Sequence, residues 1–469
     1  MRKHTVSPNA FKINLLLILS LSLPSAFATP PLPADLVDNN LAFLKLDKVN
    51  TAIGGAFSMH FISTVTINGT IWAYYIKGDG NGKMGVGLAK STDGVTFADQ
   101  GVVLQAGAAG AWDDRMASFP GIWYDNGTFY LVYEGAGQST SSPGDIGLAT
   151  SSDGVHFTKN STPILYHNQT GWEAANIGTP SLYKEGATWY LHYHGFDGVT
   201  CQIGVATGTS LTALTKFSAN PIIKSVPNTW QAGTAGHRGI VKNNGKYYMA
   251  YEGSGVQPYG TAQWSSGFAS STDLLNWTTF SQNNVLPLTT NTMGNDGSTL
   301  FSVNGSNYLY YRAPGANVTR RALIADEANG GFDQQWTMTN PNIQHVVGRA
   351  EVDGWSVNVH DTANYMQFGP YTTTLQAGNQ IATWKLQVDN NTADNGKIVR
   401  LEVYDVDAGT APALIGQRDI TRKQWKQANR FEYFSVPFNF DSSRVGHRIE
   451  LRVWWYGISY VKEQVVGIS

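Results

Sequence analysis

The chain has few covalent or electrostatic means of holding itself together. It contains one cysteine, Cys201, so no intrachain disulfide can form and Cys-x-x-Cys zinc sites are excluded. Only 14% of its residues are Asp, Glu, Lys or Arg, the formal net charge is −2, and no basic stripe is present, which argues against a nucleic-acid partner. Apolar runs with a helical period of 3.6 are absent. The apolar run Ile13–Leu23 falls short of the roughly 20 residues a membrane span needs, and no later stretch is apolar enough to cross a bilayer. Stability must come from packing.

That apolar run follows Arg2, Lys3, His4 and Lys12 and precedes Ala26-Phe27-Ala28, the order of a secretory signal peptide cleaved after Ala28. The expectation is a signal peptide over 1–28 and a secreted or periplasmic protein with no membrane contact after cleavage. Asn68-Gly69-Thr70 and Asn126-Gly127-Thr128 read as glycosylation acceptors in a eukaryotic host and as plain turns in a bacterium.

What is abundant is repetition. Trp112 begins WDDRMASFPGIWYDNGTFYLVYEG, Trp172 begins WEAANIGTPSLYKEGATWYLHYHG, and Trp230 begins WQAGTAGHRGIVKNNGKYYMAYEG. In each copy a Tyr (Tyr130, Tyr190, Tyr248) follows the Trp by 18 residues and a Gly (Gly135, Gly195, Gly253) follows that Tyr by five. Weaker copies end at Gly78 and surround Tyr308. Each unit reads as a meander: an apolar strand, an Asn-Gly turn, an aromatic strand, a third strand such as IGLATSS, and a turn of the STDG type before a fourth strand. Asp93, Asp153 and Asp273 recur in those last turns, so they are assigned to turn formation. Four antiparallel strands repeated every 50–60 residues indicate a propeller. The fold class expected is all-β: a five-bladed β-propeller over 29–345, then a jelly-roll-like β-sandwich over 346–469, where alternating segments such as KIVRLEVYDV and HRIELRVWWYG replace the repeat.

A blade's first strand starts, and its second strand ends, on the same face of the ring. The residue before the repeat Gly is Lys77, Glu134, His194 or Glu252, with Arg312 in the similar place of the fifth copy. The leading loops supply His60, Asp113, Asp114, Arg115, Glu173, His237, Arg238 and Asp296. A structural repeat should place like residues at like positions. Different ionisable groups at equivalent positions point to one asymmetric site on a symmetric scaffold. The aromatic content, 14 Trp and 22 Tyr, also suits the flat C–H faces of sugars, although β-rich cores use aromatics as well. Cleaving a glycosidic bond takes two carboxylic groups, one to protonate the leaving oxygen and one to activate the nucleophile, and this cleft is rich enough in acids to supply both.

The phrases W-D-D-R-x-x-S-x-P-G-I-x-Y-D-N-G-x-F-Y-L-V-Y-E-G and I-G-L-A-T-S-S-D-G-V-H-F resemble those of five-bladed propeller glycosidases, the family 43 arabinofuranosidases and xylosidases and the family 32 fructan hydrolases. The resemblance implies a central pocket with a base, a pKa-modulating Asp and an acid Glu. Glu173 looks like the counterpart of the acid Glu. Asp114 is the nearest carboxylate of the second blade, while the family's usual place after the Pro is Gly121. The first-blade base is missing from GAFSMHFIST; some relatives use a His as acid, a role the resemblance would give His237 or His60, with Asp296 as the displaced base. The catalytic set implied is Asp114, Glu173, Asp296 and His237. Substrate contacts fall to His60, Lys77, Arg115, Glu134, His194, Arg238, Glu252 and Arg312. The C-terminal part resembles carbohydrate-binding modules of secreted glycosidases, with Trp454, Trp455 and Tyr456 as a candidate sugar platform. Adjacent strand residues face opposite ways, so at least one of the three belongs to the core. Such modules can hold a structural calcium, for which Asp389 and Asp405 would be ligands.

The expected function is hydrolysis of a glycosidic bond in a polysaccharide or oligosaccharide at a furanose or pentose residue, with inversion and no required cofactor. The alternatives are a non-catalytic sugar-binding propeller and a phosphorylase or lyase-like sugar enzyme, in which Lys77, Arg115, Arg238 and Arg312 would hold phosphate or a uronate carboxylate.

Overall fold

A computed structural model describes residues 29–47, 59–138, 143–255, 263–286, 297–313 and 318–469. The expected signal peptide lies outside the described residues. The molecule is built almost wholly of strands, in a β-propeller followed by a β-sandwich.

Five four-stranded antiparallel meanders form the blades. Blade one is β2 (His60–Ile67), β3 (Thr70–Gly78), β4 (Met84–Ser91) and β5 (Ala98–Leu104). Blade two is β6 (Met116–Asp125), β7 (Thr128–Ala136), β8 (Asp145–Ser151) and β9 (Thr158–Lys159). Blade three is β10 (Asn176–Glu185), β11 (Thr188–Phe196), β12 (Cys201–Gly208) and β13 (Thr215–Lys216). Blade four is β14 (Thr234–Asn243), β15 (Lys246–Ser254), β16 (Ser265–Ser271) and β17 (Thr278–Thr279). Blade five is β18 (Thr299–Val303), β19 (Ser306–Ala313), β20 (Val318–Ala325) and, as its outer strand, β1 (Phe43–Leu46) from the start of the chain. The sequence reading placed five consecutive copies between about 40 and 343. The fifth is instead completed from the N-terminus, a pairing that covers its edge and closes the ring without a disulfide. The first strands β2, β6, β10, β14 and β18 each pack on the next, and β18 packs on β2, around one axis.

The outer turns form as expected. Asp93 accepts the backbone N–H groups of Val95 and Thr96 at 2.8 Å and the hydroxyl of Ser91 at 2.9 Å; Asp153 and Asp273 repeat the arrangement. Burial acts to raise the Asp93 carboxyl, but these hydrogen bonds outweigh it and bring the group to about 2.

The sandwich has two sheets. One contains β21 (Gln334–Thr337), β22 (Arg349–Glu351), β23 (Gly354–Val357), β26 (Gly378–Val388), β29 (Glu432–Phe440) and β31 (Val461–Ile468). The other contains β24 (Asn364–Gln367), β25 (Pro370–Thr372), β27 (Lys397–Asp405), β28 (Leu414–Thr421) and β30 (Ile449–Trp455). The first sheet thus reaches back to Gln334, upstream of the boundary set near residue 346. The sandwich docks on blade five through the N-terminal segment: Phe43 stacks on Phe332 at 4.4 Å, Tyr433 N–H donates to Asn40 at 2.8 Å, and Ser469 Oγ donates to Leu44 at 2.9 Å.

Trp455 is fully buried in the sandwich core, whereas Trp454 and Tyr456 are half-buried on the outer face, as strand alternation requires. Asp405 accepts from Arg444 at 2.5 Å and lies 3.0 Å from Nδ1 of His447, and Asp389 accepts from Ser459 at 3.0 Å. The two proposed calcium ligands are thus engaged with side chains, and among the described residues no group of three or more His, Cys, Asp or Glu side chains could hold a metal ion.

Glu463 faces this core opposite Leu386 and Trp355, with neither carboxyl oxygen hydrogen-bonded. Burial pushes its carboxyl well above the usual range, so the folded chain keeps this proton to higher pH than the unfolded chain does. The folded state then holds a proton that the unfolded chain releases above about pH 4.5, and stability falls as pH rises from there through the folded value. Glu463→Gln is expected to remove this loss and raise the pH 8 melting temperature by at least about 3 °C, with a smaller gain at pH 5, in paired thermal melts.

Candidate active site

The Trp-to-Tyr-to-Gly register has a packing cause. A Cβ on Gly135 would lie 2.3 Å from the Trp112 ring. The same clash recurs for Gly195 with Trp172 at 2.3 Å and Gly253 with Trp230 at 2.5 Å. The indole fills the space over each glycine, and the residue after the Trp is thereby buried beside the next tyrosine. In blade two Asp113 accepts from Tyr133 OH at 3.1 Å and from Lys159 Nζ at 2.7 Å. In blade three Glu173, fully buried, pairs with Lys216 through Oε1 and lies beside Tyr193, its Oε2 buried without a hydrogen bond. In blade four Gln231 accepts from Tyr251 OH at 2.8 Å. The fourth-strand partner covaries: Lys159, Lys216 and Thr279 pair with Ala149, Ala206 and Ala269 respectively, so the charged pairs of blades two and three become a neutral one in blade four.

This relocates several expected site residues. Glu173, the expected acid, occupies the position that Asp113 and Gln231 hold in blades two and four, with Lys216 on one carboxyl oxygen. Asp114 accepts backbone N–H groups from Gly110 and Gln138, both at 2.8 Å, and those bonds hold its carboxyl below the usual range. It ties the loop at Gly110 to the end of blade two's second strand. Arg115 is exposed. Lys77 turns to Asp99 at 2.8 Å, with Tyr75 OH on the same carboxylate at 2.8 Å. The reason is register. His60 pairs with Ile76, as Ser118 pairs with Glu134, so Ile76 and not Lys77 is the equivalent of Glu134. A slip of one residue sends the side chain to the other face of the sheet. Asp99 stands where blade two has Lys159, and blade one builds the same tie with its charges exchanged. Gly121 admits no side chain, since a Cβ there would lie 2.5 Å from the Pro180 carbonyl.

The pairing register sets the other group of residues around the axis. By pairing register, Glu134, His194, Glu252 and Arg312 are equivalents, and they are 7%, 8%, 3% and 9% exposed. Glu134 reaches the next blade and accepts the Thr179 N–H at 3.0 Å; Glu252 does likewise with Gly297 at 2.6 Å. His194 lies 2.8 Å from Thr179 Oγ1 through Nδ1 and 3.3 Å from Asn176 Oδ1 through Nε2. His60 is half-buried at the start of β2. The inner strands bulge next to these groups, between Ser118 and Gly121 and between Gly178 and Ser181, and Phe119 (φ 51°) and Thr179 (φ 43°) take left-handed backbone there. Such strain in non-glycine residues is typical of functional sites. Beyond the bulges all five inner strands line a cavity of about 250 Å³. Asp296 and the side chains of His237 and Arg238 lie outside the described residues.

Thr179, Asn176 and Gly178 escaped the sequence reading. A Cβ on Gly178 would meet Glu134 Oε2 at 1.9 Å and His194 Cε1 at 2.9 Å, so this glycine is the floor on which carboxylate and imidazole meet. Gly178→Ala is expected to displace Glu134 and lower turnover about 100-fold, the scale of a 1 Å misplacement, with circular dichroism unchanged.

Residues 120–296, less than half of the chain, match the model of glycoside hydrolase family 130, described as beta-1,4-mannooligosaccharide phosphorylase. A 1,2-beta-oligomannan phosphorylase of Thermoanaerobacter sp. (strain X514) is 27% identical over 99 residues, which span 20% of this chain and 33% of that protein. The match thus spans about a third of the curated relative's length. Among solved structures, a thermostable family-43 glycoside hydrolase is 18% identical with a TM-score of 0.45, covering 58% of this chain and 89% of its own. The exo-beta-1,3-galactanase of Phanerochaete chrysosporium is 12% identical with a TM-score of 0.43, covering 91% of this chain and 100% of its own. The chain is thus similar to carbohydrate-active enzymes. The matching family model and curated relative are phosphorylases, where the sequence reading placed a hydrolase first and a phosphorylase second; they name mannose polymers where it expected a pentose.

Proposed function

We propose that this protein cleaves β-linked mannooligosaccharides by phosphorolysis at the axial cluster. The observation that carries the reading is the break in the repeat: one register position holds Glu134, His194, Glu252 and Arg312, each buried and each chemically different from its neighbour in the ring. Similarity to mannooligosaccharide phosphorylases supports phosphate as the attacking group. A phosphate oxygen attacks C1 while the C1–O bond breaks, and its electron pair leaves with the glycosidic oxygen, which takes a proton. Glu134 is assigned to that proton transfer, with His194 beside it, and Arg312 to the phosphate charge. Glu252 is assigned to sugar hydroxyls. The products are mannose 1-phosphate and a shortened oligosaccharide. On the same footing, residues 1–28 are proposed to direct export, and the outer face around Trp454 to contact carbohydrate.

The test is β-1,4-mannobiose with and without inorganic phosphate. Mannose 1-phosphate formed only with phosphate supports the proposal. Free mannose released at a phosphate-independent rate makes the protein a hydrolase, and no turnover leaves a sugar-binding propeller; either overturns it.

A further inference from the structure

Blade two departs from the repeat a second time. Asp145, the first residue of β8, is 2% exposed, and its Oδ1 receives both the backbone N–H and Nδ1 of His167, at 2.7 and 2.8 Å. With Nδ1 donating to the carboxylate, Nε2 of the ring is turned toward the Gln169 amide, 3.1 Å away. The register-equivalents of Asp145 are Gly85, Gln202 and Ser265, opposite Lys77, Gly195 and Gly253. Leu165 bridges Ile146 as Ile223 bridges Ile203, so Ser225 stands where His167 does. The Asp–His pair is therefore particular to blade two and not demanded by the fold.

The pair borders a cavity of about 420 Å³, also lined by Trp112, Ser161, Tyr166 and Gln169. Tyr166 is 54% exposed, an aromatic ring left largely open to solvent beside buried hydrogen-bonding groups. Its backbone is fixed, because Lys216 donates to its carbonyl at 2.6 Å while also pairing with Glu173. The cavity adjoins the axial cluster across one residue: a Cβ on Gly144, next to Asp145, would lie 3.5 Å from Glu134 Oε1.

We propose that this cavity binds a further sugar unit of the oligosaccharide whose terminal bond lies at Glu134. The inference rests on the reading of the axial cluster as a glycoside site. A pyranose has an apolar face and a polar rim; Tyr166 meets the first, and His167 Nε2 and the Gln169 amide meet the hydroxyls of the second. Asp145 acts through His167, fixing its ring and tautomer, and is a positioning residue.

The test is calorimetric titration of the full chain with β-1,4-mannobiose and β-1,4-mannotetraose. Wild-type protein is expected to bind the tetraose more tightly, and His167→Ala and Tyr166→Ala each to weaken tetraose binding about tenfold while moving mannobiose binding less than about twofold. His167→Gln, which keeps a polar group at the rim, is expected to retain part of the gain. Equal affinity of the wild type for both sugars, failure to bind the tetraose, or tetraose binding untouched by both alanine variants would overturn the proposal. Phosphate-dependent turnover of mannobiose with no gain from chain length would sink this cavity alone. A His167-dependent gain in binding without turnover would sink the phosphorolytic reading alone.

Discussion

Glu134→Gln is expected to lower phosphorolysis of β-1,4-mannobiose by about 10²–10⁴-fold, the usual contribution of a positioned acid or base. The substitution preserves shape. The amide oxygen still accepts the Thr179 N–H that Glu134 receives at 3.0 Å, so the fold of the bulge and the affinity for sugar should survive. What is lost is the exchangeable proton. The deficit should therefore appear in kcat and leave KM within a few-fold, because an interaction made only in the transition state has been removed. Glu173→Gln supplies the contrast. If Glu173 were the acid, as the family 43 resemblance implies, its loss would be the larger of the two. In the structure it is fully buried against Lys216. Steady-state kinetics of the two variants, side by side, distinguish the assignments.

Lys216→Thr should cost about 3–5 kcal/mol of stability, because it strands a buried carboxylate. The pair Glu173→Gln with Lys216→Thr should recover most of that cost. Blade four shows why: Gln231 and Thr279 stand at these two positions, Gln231 accepts from Tyr251 at 2.8 Å, and the Gln231 amide donates to the Lys224 carbonyl at 2.7 Å. The neutral solution already exists within the same fold, so the double variant copies a neighbouring blade. Chemical denaturation of wild type, both single variants and the double variant gives the coupling energy directly. Additive losses would mean that the blade-three tie is not a unit. Lys216 also holds the carbonyl of Tyr166, so the double variant is expected to loosen that loop while keeping the blade.

Much of this architecture was legible in the sequence, for identifiable reasons. Trp112, Trp172 and Trp230 repeat because each ring packs on a glycine 23 residues later, and that spacing survives in the letters. The turns at Asp93, Asp153 and Asp273 are local, and local hydrogen bonds leave a local signature. The closure of blade five by β1 was not legible, since it joins residues nearly 300 positions apart. Within the candidate site, the residue before the repeat Gly is the buried position facing the axis in blades two, three and four. In blade one the visible glycine, Gly78, is not the packing glycine, and the frame slipped by one, bringing in Lys77 where the chain places Ile76. Glu173, beside Trp172, is the acid the resemblance implies, and Asp113 holds the same loop position beside Trp112. Only burial and their lysine partners on the fourth strand separate a tie from a site, and those partners lie more than 40 residues downstream. Gly178 carried information through what it lacks, the side chain whose space Glu134 occupies.

The measurement that bears most directly on the central claim is a crystal structure of the Glu134→Gln variant grown with β-1,4-mannobiose and phosphate. The account predicts the glycosidic oxygen against residue 134, beside His194, with phosphate on Arg312. Sugar bound elsewhere, with the ring of Glu134, His194, Glu252 and Arg312 positions unvisited by either ligand, would contradict it.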